Sequence, residues 1–265
     1  MLFEIDRVLN SVEQGVSDLP TFPPKEVQEL FVGRSGRLAL QEVVPFLSLI
    51  AEFSSITSNT TILDFGVGWG RIARFFQGIV PAKQLYLADI DQGALDWCKK
   101  CGVQGTRILL EKSGPLPLEA SHLNVVYSYS VFSHLSEAAA ILWLNEIHRT
   151  LKSDGILVFT TQSLRFLHLV KACAEKENAS DLERSIGRYM GSTPERSVAT
   201  YERGEHTYSD VNGSGGGGVL TGDFYGWAAI PPAWFERNFG SKFMIEKYVD
   251  DPEILEQAIY IVRKR

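Results

Sequence analysis

The chain has 265 residues, 45% of them hydrophobic and 22% charged, and a formal net charge of −6. That size and balance suit one large α/β domain whose core closes without metal or disulfide staples. The acidic balance and the lack of a long basic run speak against sequence-independent nucleic-acid binding, and no apolar stretch approaches the roughly 18 residues of a membrane span. Met1 to Pro20 lacks the charged-then-apolar layout of a signal peptide, so a cytoplasmic location is expected. In residues 1–55, short helical patterns at Glu26–Phe31 and Leu38–Phe53 are interrupted by Pro20, Pro23, Pro24 and the loop Val32–Gly36.

A strand is expected over 61–65, ending Ile62-Leu63-Asp64-Phe65, followed by Gly66-Val67-Gly68-Trp69-Gly70 and a helix over about 70–79. Glycines at alternate positions let the backbone take positive φ and approach a ligand closely. A helix starting at Arg71 would point unpaired N–H groups at the same ligand. The spacing is G-x-G-x-G, not the G-x-G-x-x-G of a dinucleotide site. Asp64, two residues before the first glycine, would repel a pyrophosphate but suits a ligand that carries positive charge. S-adenosylmethionine, with a sulfonium and an ammonium, is such a ligand. A second strand over 84–88 ends at Asp89, where a carboxylate can accept both hydroxyls of a ribose.

Further along, a helix is expected over 92–100 and a strand over Thr106–Leu110. Cys98 and Cys101 spell C-x-x-C, but no second such pair or paired histidines accompany them, so they read as reduced structural thiols and not as a metal site. A fourth strand over Asn124–Tyr129, a helix over about 137–151 and a fifth strand over Ile156–Thr161 follow. Beyond a helical stretch at Leu164–Lys176, residues 163–230 read as an insertion. It holds the aromatics Tyr201, Tyr208, Phe224, Tyr225 and Trp227 and the glycine run Asn212–Gly218, read as a hinge or loop tip. A helix ending at Gly240 and strands Phe243–Val249 and Gln257–Val262 complete the pattern.

Asp64–Arg71 and Leu87–Asp91 resemble the first two motifs of the class I S-adenosylmethionine-dependent methyltransferases. Val125–Ser136 resembles that family's fourth strand and following loop, and Leu144–Thr161 its helix, turn and fifth strand. The resemblance covers roughly residues 36–162. It implies a Rossmann-like fold: a seven-stranded, mostly parallel sheet with a reversed edge strand and helices on both faces. It also implies a single domain with an N-terminal helical cap over 1–55 and a substrate lid inserted at 163–230.

The same resemblance implies S-adenosyl-L-methionine as cofactor, with Asp89 and its neighbour Ile90 on the ribose side. Asp64, Gly66, Gly68, Trp69, Gly70 and Arg71 then stand at the methionine end, and Ser113 and Ser130 complete the cofactor side. Arg71 has two readings, a partner for the methionine carboxylate or an anchor to a neighbouring carbonyl. Trp69 likewise packs over the cofactor or wedges into the core. His134 and His206 are the candidates to take a proton from an acceptor, with bracing of the following helix as the alternative for His134.

Tyr127-Ser128-Tyr129-Ser130 replaces the Asn/Asp-Pro-Pro-Tyr/Phe of enzymes that methylate base or glutamine amino groups. That argues against a DNA adenine or protein glutamine methyltransferase, and the activity expected from the resemblance is methyl transfer to a small-molecule or glycan acceptor, at oxygen. N-methylation and a non-catalytic scaffold of the same fold stand as alternatives. The glycine spacing and Asp64 disfavour a nucleotide-dependent oxidoreductase.

Overall fold

A computed structural model describes residues 5–14, 18–191, 193–210 and 218–265. The chain divides into two compact units, Met1–Glu111 with Pro115–Ser128 and Arg149–Val158, and Lys112–Gly114 with Tyr129–His148 and Phe159–Arg265. The glycine run at 212–217 lies outside the described residues.

Seven strands form one sheet in the order β3-β2-β1-β4-β5-β9-β8. They are β1 (Ile62–Phe65), β2 (Leu85–Asp89), β3 (Thr106–Leu109), β4 (Leu123–Ser128), β5 (Leu151–Thr161), β8 (Phe243–Val249) and β9 (Ala258–Lys264). β1 pairs in parallel with β2 and with β4, β2 pairs in parallel with β3, and β8 and β9 pair antiparallel. This is the Rossmann-like class I arrangement. All four residues of β1 are buried, as expected of a parallel strand covered on both faces. From β1 the chain steps outward through β2 and β3, then returns to β4 on the other side of β1. The carboxyl ends of β1 and β4 thus flank the switch point where open α/β sheets bind ligands.

In the first unit, α1 (Ile5–Gln14), α2 (Lys25–Val32), α3 (Gly36–Gln41) and α4 (Val44–Phe53) precede β1. α2 stops at Gly33, whose φ is +68°, and the helix expected over Leu38–Phe53 is two helices. The helix expected over 70–79 is absent. Arg71–Ile72 is a turn, and Ala73–Phe76 a single 3₁₀ turn. Gly70 and Gly78, both in the left-handed region, bound the span at each end and interrupt right-handed helical backbone there. A helix dipole aimed from Arg71 therefore has no basis in the fold. α5 (Gln92–Lys100) forms as expected, because the Asp91 carboxylate caps it by accepting from Gly93 N.

α6 (Glu137–Thr150) runs directly into β5, five residues earlier than expected. In that junction Asp154, at φ +62°, takes the left-handed position. Gly155 is required for space: a Cβ there would stand 2.9 Å from Lys152 O and 3.2 Å from Asn124 O.

The second unit holds α7 (Leu164–Glu175), α8 (Asp181–Ile186), α9 (Pro194–Glu202), α10 (Pro232–Phe239) and a small antiparallel sheet of β6 (Thr207–Ser209) and β7 (Trp227–Ala229). A satellite core of Leu167, Val170, Met190, Val198, Tyr201 and Ala229 binds these pieces together, with Phe166, Tyr189 and Trp227 packed against it. The described residues after Lys176, patternless as sequence, thus pack with α7 around an apolar centre of their own.

Candidate active site

The loop after β1 is held by the end of β2. Gly66 N and Val67 N both donate to Ala88 O, at 2.8 and 3.0 Å. Gly66, Gly68 and Gly70 sit at φ +85°, +53° and +80°. Gly70 is needed twice over, since a Cβ there would lie 2.8 Å from Val103 Cγ2 as well as straining the backbone.

Asp89, half-buried at the carboxyl end of β2, accepts from Gly68 N at 2.8 Å through Oδ2 and from Asp91 N at 2.9 Å through Oδ1. Each oxygen keeps lone pairs for a further donor, and the two amides fix the direction in which they point. That is the geometry for gripping a pair of vicinal hydroxyls. Ile90, also half-buried, adds its amide to the same carboxylate. Burial raises the Asp89 pKa above the ordinary carboxylate value, and the amides of Asp91, Gly68 and Ile90 pull it back.

Asp64 lies deeper. Its side chain is buried, and its Oδ2 accepts from the Tyr127 hydroxyl on β4 at 2.8 Å. Burial pushes its pKa up to about 8. The Tyr127 bond and Arg71 oppose that shift, while the Asp89 charge adds to it. Arg71 is buried too, and its Nη1 donates to Ala39 O and to Glu42 Oε2, both at 3.2 Å. It ties the loop to α3 and its flank, the anchoring role.

Trp69 is only 1% exposed and wedges into the core, edge-on to Phe22 and beneath the Arg74 guanidinium. Its Nε1 is buried without a hydrogen-bond partner. Arg74 donates in turn to Gly70 O and Pro20 O, and the Cys98 thiol donates to Gly68 O at 3.2 Å. Cys98 thereby supports the loop from below, and all three cysteines are free thiols. No cluster of metal-ligating side chains occurs among the described residues.

The remaining candidates belong to the second unit. Ser113 is exposed. Ser130, just past β4, has φ +57°, an uncommon position for a residue with a side chain. It is locked by Ser130 N donating to Thr160 Oγ1 (2.7 Å) and by Gln257 Nε2 donating to Ser130 Oγ (2.9 Å), and Thr160 Oγ1 donates to Gln257 Oε1.

His134 is half-buried. Its Nδ1 lies 2.7 Å from Gly226 O, so Nδ1 carries the proton and donates, because a carbonyl only accepts. Nε2 is then the lone-pair nitrogen. Burial lowers the His134 pKa to about 4, the Gly226 bond opposing the shift, so the ring is neutral near pH 7. His206 is buried against Trp234, with neither ring nitrogen hydrogen-bonded and a pKa lowered by burial to about 4.

The family model of the methyltransferase domain matches residues 63–159, the stretch that contains the glycine loop, Asp89, β4 and α6. That stretch is similar to a methyltransferase domain, and the strand order around it is that of the class I methyltransferase fold. Solved structures share its fold at low identity. An S-adenosylmethionine-dependent methyltransferase from Mesorhizobium loti is 14% identical, with a TM-score of 0.54 over 85% of this chain and 100% of that one. One from Methanosarcina mazei is 16% identical, with a TM-score of 0.51 over 82% and 96%. Phosphoethanolamine N-methyltransferase 1 of Haemonchus contortus, in complex with phosphoethanolamine and S-adenosylhomocysteine, is 11% identical, with a TM-score of 0.51 over 98% of this chain and 47% of that one.

The residues around this domain's glycine loop suit such a cofactor. Two acids flank the loop, and Asp89 offers paired acceptors, where a pyrophosphate would need donors. Sequence reading passed over Glu42 and Cys98 as supports of the loop, and Gln257 as the partner of Ser130. Their partners are remote in the chain, 127 residues for Gln257 and Ser130, and no local pattern marks them.

Proposed function

We propose that this domain methylates a hydroxyl group of a small-molecule or glycan acceptor. S-adenosylmethionine supplies a methyl group made electrophilic by its sulfonium. In this reading Asp89, backed by Ile90, grips the ribose hydroxyls, and Gly66, Gly68 and Gly70 let the chain approach the methionine end over the Asp64 carboxyl. Arg71 and Trp69 serve from behind, as anchor and wedge. Ser130, held in its uncommon conformation, and Ser113 remain as cofactor-side contacts. The segment 163–230 acts as the lid that selects the acceptor, and 1–55 as the cap.

The observation that carries the reading toward oxygen is the His134 ring. An amine brings its own lone pair, but a hydroxyl becomes a good nucleophile only as its proton leaves. His134 offers a neutral Nε2 for that proton. A weak base suffices where positioning supplies most of the acceleration. His206, with both nitrogens buried, is the less accessible of the two histidines.

The test is transfer of labelled methyl from S-adenosylmethionine to parallel panels of sugars, other hydroxylated small molecules and amines. Turnover of a hydroxylated acceptor is expected, slowed about a hundredfold in His134→Gln. Turnover of amines alone, unaffected by His134→Gln, would replace this reading with N-methylation.

A further inference from the structure

We infer that the strip Phe224–Ala228 is a positioning device for His134, fixing its tautomer and ring plane so that Nε2 presents the lone pair. The inference rests on the proposed role of His134 as proton acceptor. Three consecutive residues of the strip hold the one ring. Tyr225 stacks on it with centroids 4.6 Å apart and planes 11° apart, and Trp227 packs against it, tilted, at 5.0 Å and 52°. Between them Gly226 O takes the Nδ1 proton.

The backbone keeps these contacts in register. Ser136 N donates to Phe224 O (3.0 Å), Gly226 N to His134 O (2.7 Å) and Ala228 N to Ser133 O (2.8 Å), with an antiparallel bridge between Leu135 and Tyr225. Gly226 has no substitute, because a Cβ there would stand 2.2 Å from Ser209 O. Trp227 is itself fixed, stacked on Tyr189 at 4.3 Å and 17° and on Phe166 at 5.4 Å and 25°. The satellite core of the inserted segment therefore sets the plane of a ring 92 residues away from its carbonyl partner.

The chemistry follows from the tautomer. When an acceptor O–H bond breaks, its proton goes to Nε2 and an oxygen lone pair forms the new O–C bond; the methyl carbon's bond to the sulfonium would break, its pair returning to sulfur to leave neutral S-adenosylhomocysteine. The imidazolium so formed keeps Nδ1–H on Gly226 O, now as a stronger, charge-assisted hydrogen bond. A histidine that merely braced α6 would need neither the flanking rings nor a defined tautomer.

The test is long-range ¹H–¹⁵N correlation of the full chain labelled at histidine, run at neutral pH, with His134→Gln assigning one signal among the five histidines. Wild type is expected to show a protonated Nδ1 and an unprotonated Nε2. Tyr225→Ala and Trp227→Ala should turn this into a tautomer mixture, and Tyr225→Phe and Trp227→Phe should restore it. With an active acceptor, the alanine variants should lose at least tenfold in kcat at unchanged KM for S-adenosylmethionine. In a His134→Gln background they should lose nothing more.

A wild-type ring protonated at Nε2 would overturn the inference, as would alanine variants that keep the tautomer yet lose the same activity. The spectrum needs no turnover. Absence of any methyl acceptor would therefore sink the proposed reaction while the spectrum still decides the clamp.

Discussion

The glycine loop of the first unit and the His134 strip of the second each hold their polar groups still, by opposite means. The loop is local. Seven residues from Asp64 to Gly70, and one carboxylate 21 residues beyond Gly68, supply its positive-φ turns and its amide-to-carboxylate lock. The strip is remote, joining His134 to Gly226 across 92 residues and Ser130 to Gln257 across 127. A grip made of backbone can be written in a short motif. A clasp made of side-chain packing depends on residues far apart in the chain.

The comparison breaks most visibly at Gly70. In Gly70→Ala, left-handed strain costs about 1–2 kcal/mol and crowding against Val103 about 1–3 kcal/mol more, with loss of cofactor binding. Gly102 has a similar φ, +78°, and nothing within 4 Å of its would-be Cβ. Gly102→Ala should therefore cost the strain alone. Thermal denaturation of both variants separates the two contributions, and equal losses would mean that the Val103 contact is unimportant.

A smaller effect sharpens the electrostatic side. Asp64 has a folded pKa near 8 against an ordinary 3.8. Between about pH 4 and pH 8 the folded state thus holds more protons than the unfolded one. Its contribution to stability is full below pH 4 and is lost as pH rises through 8. Asp64→Asn should flatten the fall in unfolding free energy from pH 5 to pH 8 by an amount on the order of a few kcal/mol. Urea titrations of both proteins at the two pH values measure it, and parallel slopes would show that Asp64 is ionised in the folded state.

β1 and β2 were legible because each is a short apolar run closed by a polar or glycine residue, and Asp89 because it ends such a run. The helix after Gly70 misled, since its apolar spacing is helical but Gly78 closes the span too early. α8 had a readable start in Ser180 and Glu183, which form a reciprocal capping box. β6 and β7, three residues each, are too short for alternation to register. The setting of His134 was half legible: the residue stood out, but its carbonyl partner Gly226 did not. Tyr225 and Trp227 read as lid aromatics, and only folding shows that they clasp a histidine.

The central claim is that Asp89 and the glycine loop grip S-adenosylmethionine. Calorimetric titration of S-adenosylmethionine, S-adenosylhomocysteine and NADH into wild type and Asp89→Ala tests it most directly. Both sulfur compounds should bind and NADH should not, and the substitution should weaken binding by roughly 1.5–3 kcal/mol, about ten- to a hundredfold. Unchanged affinity in Asp89→Ala, or preference for NADH, would contradict the account.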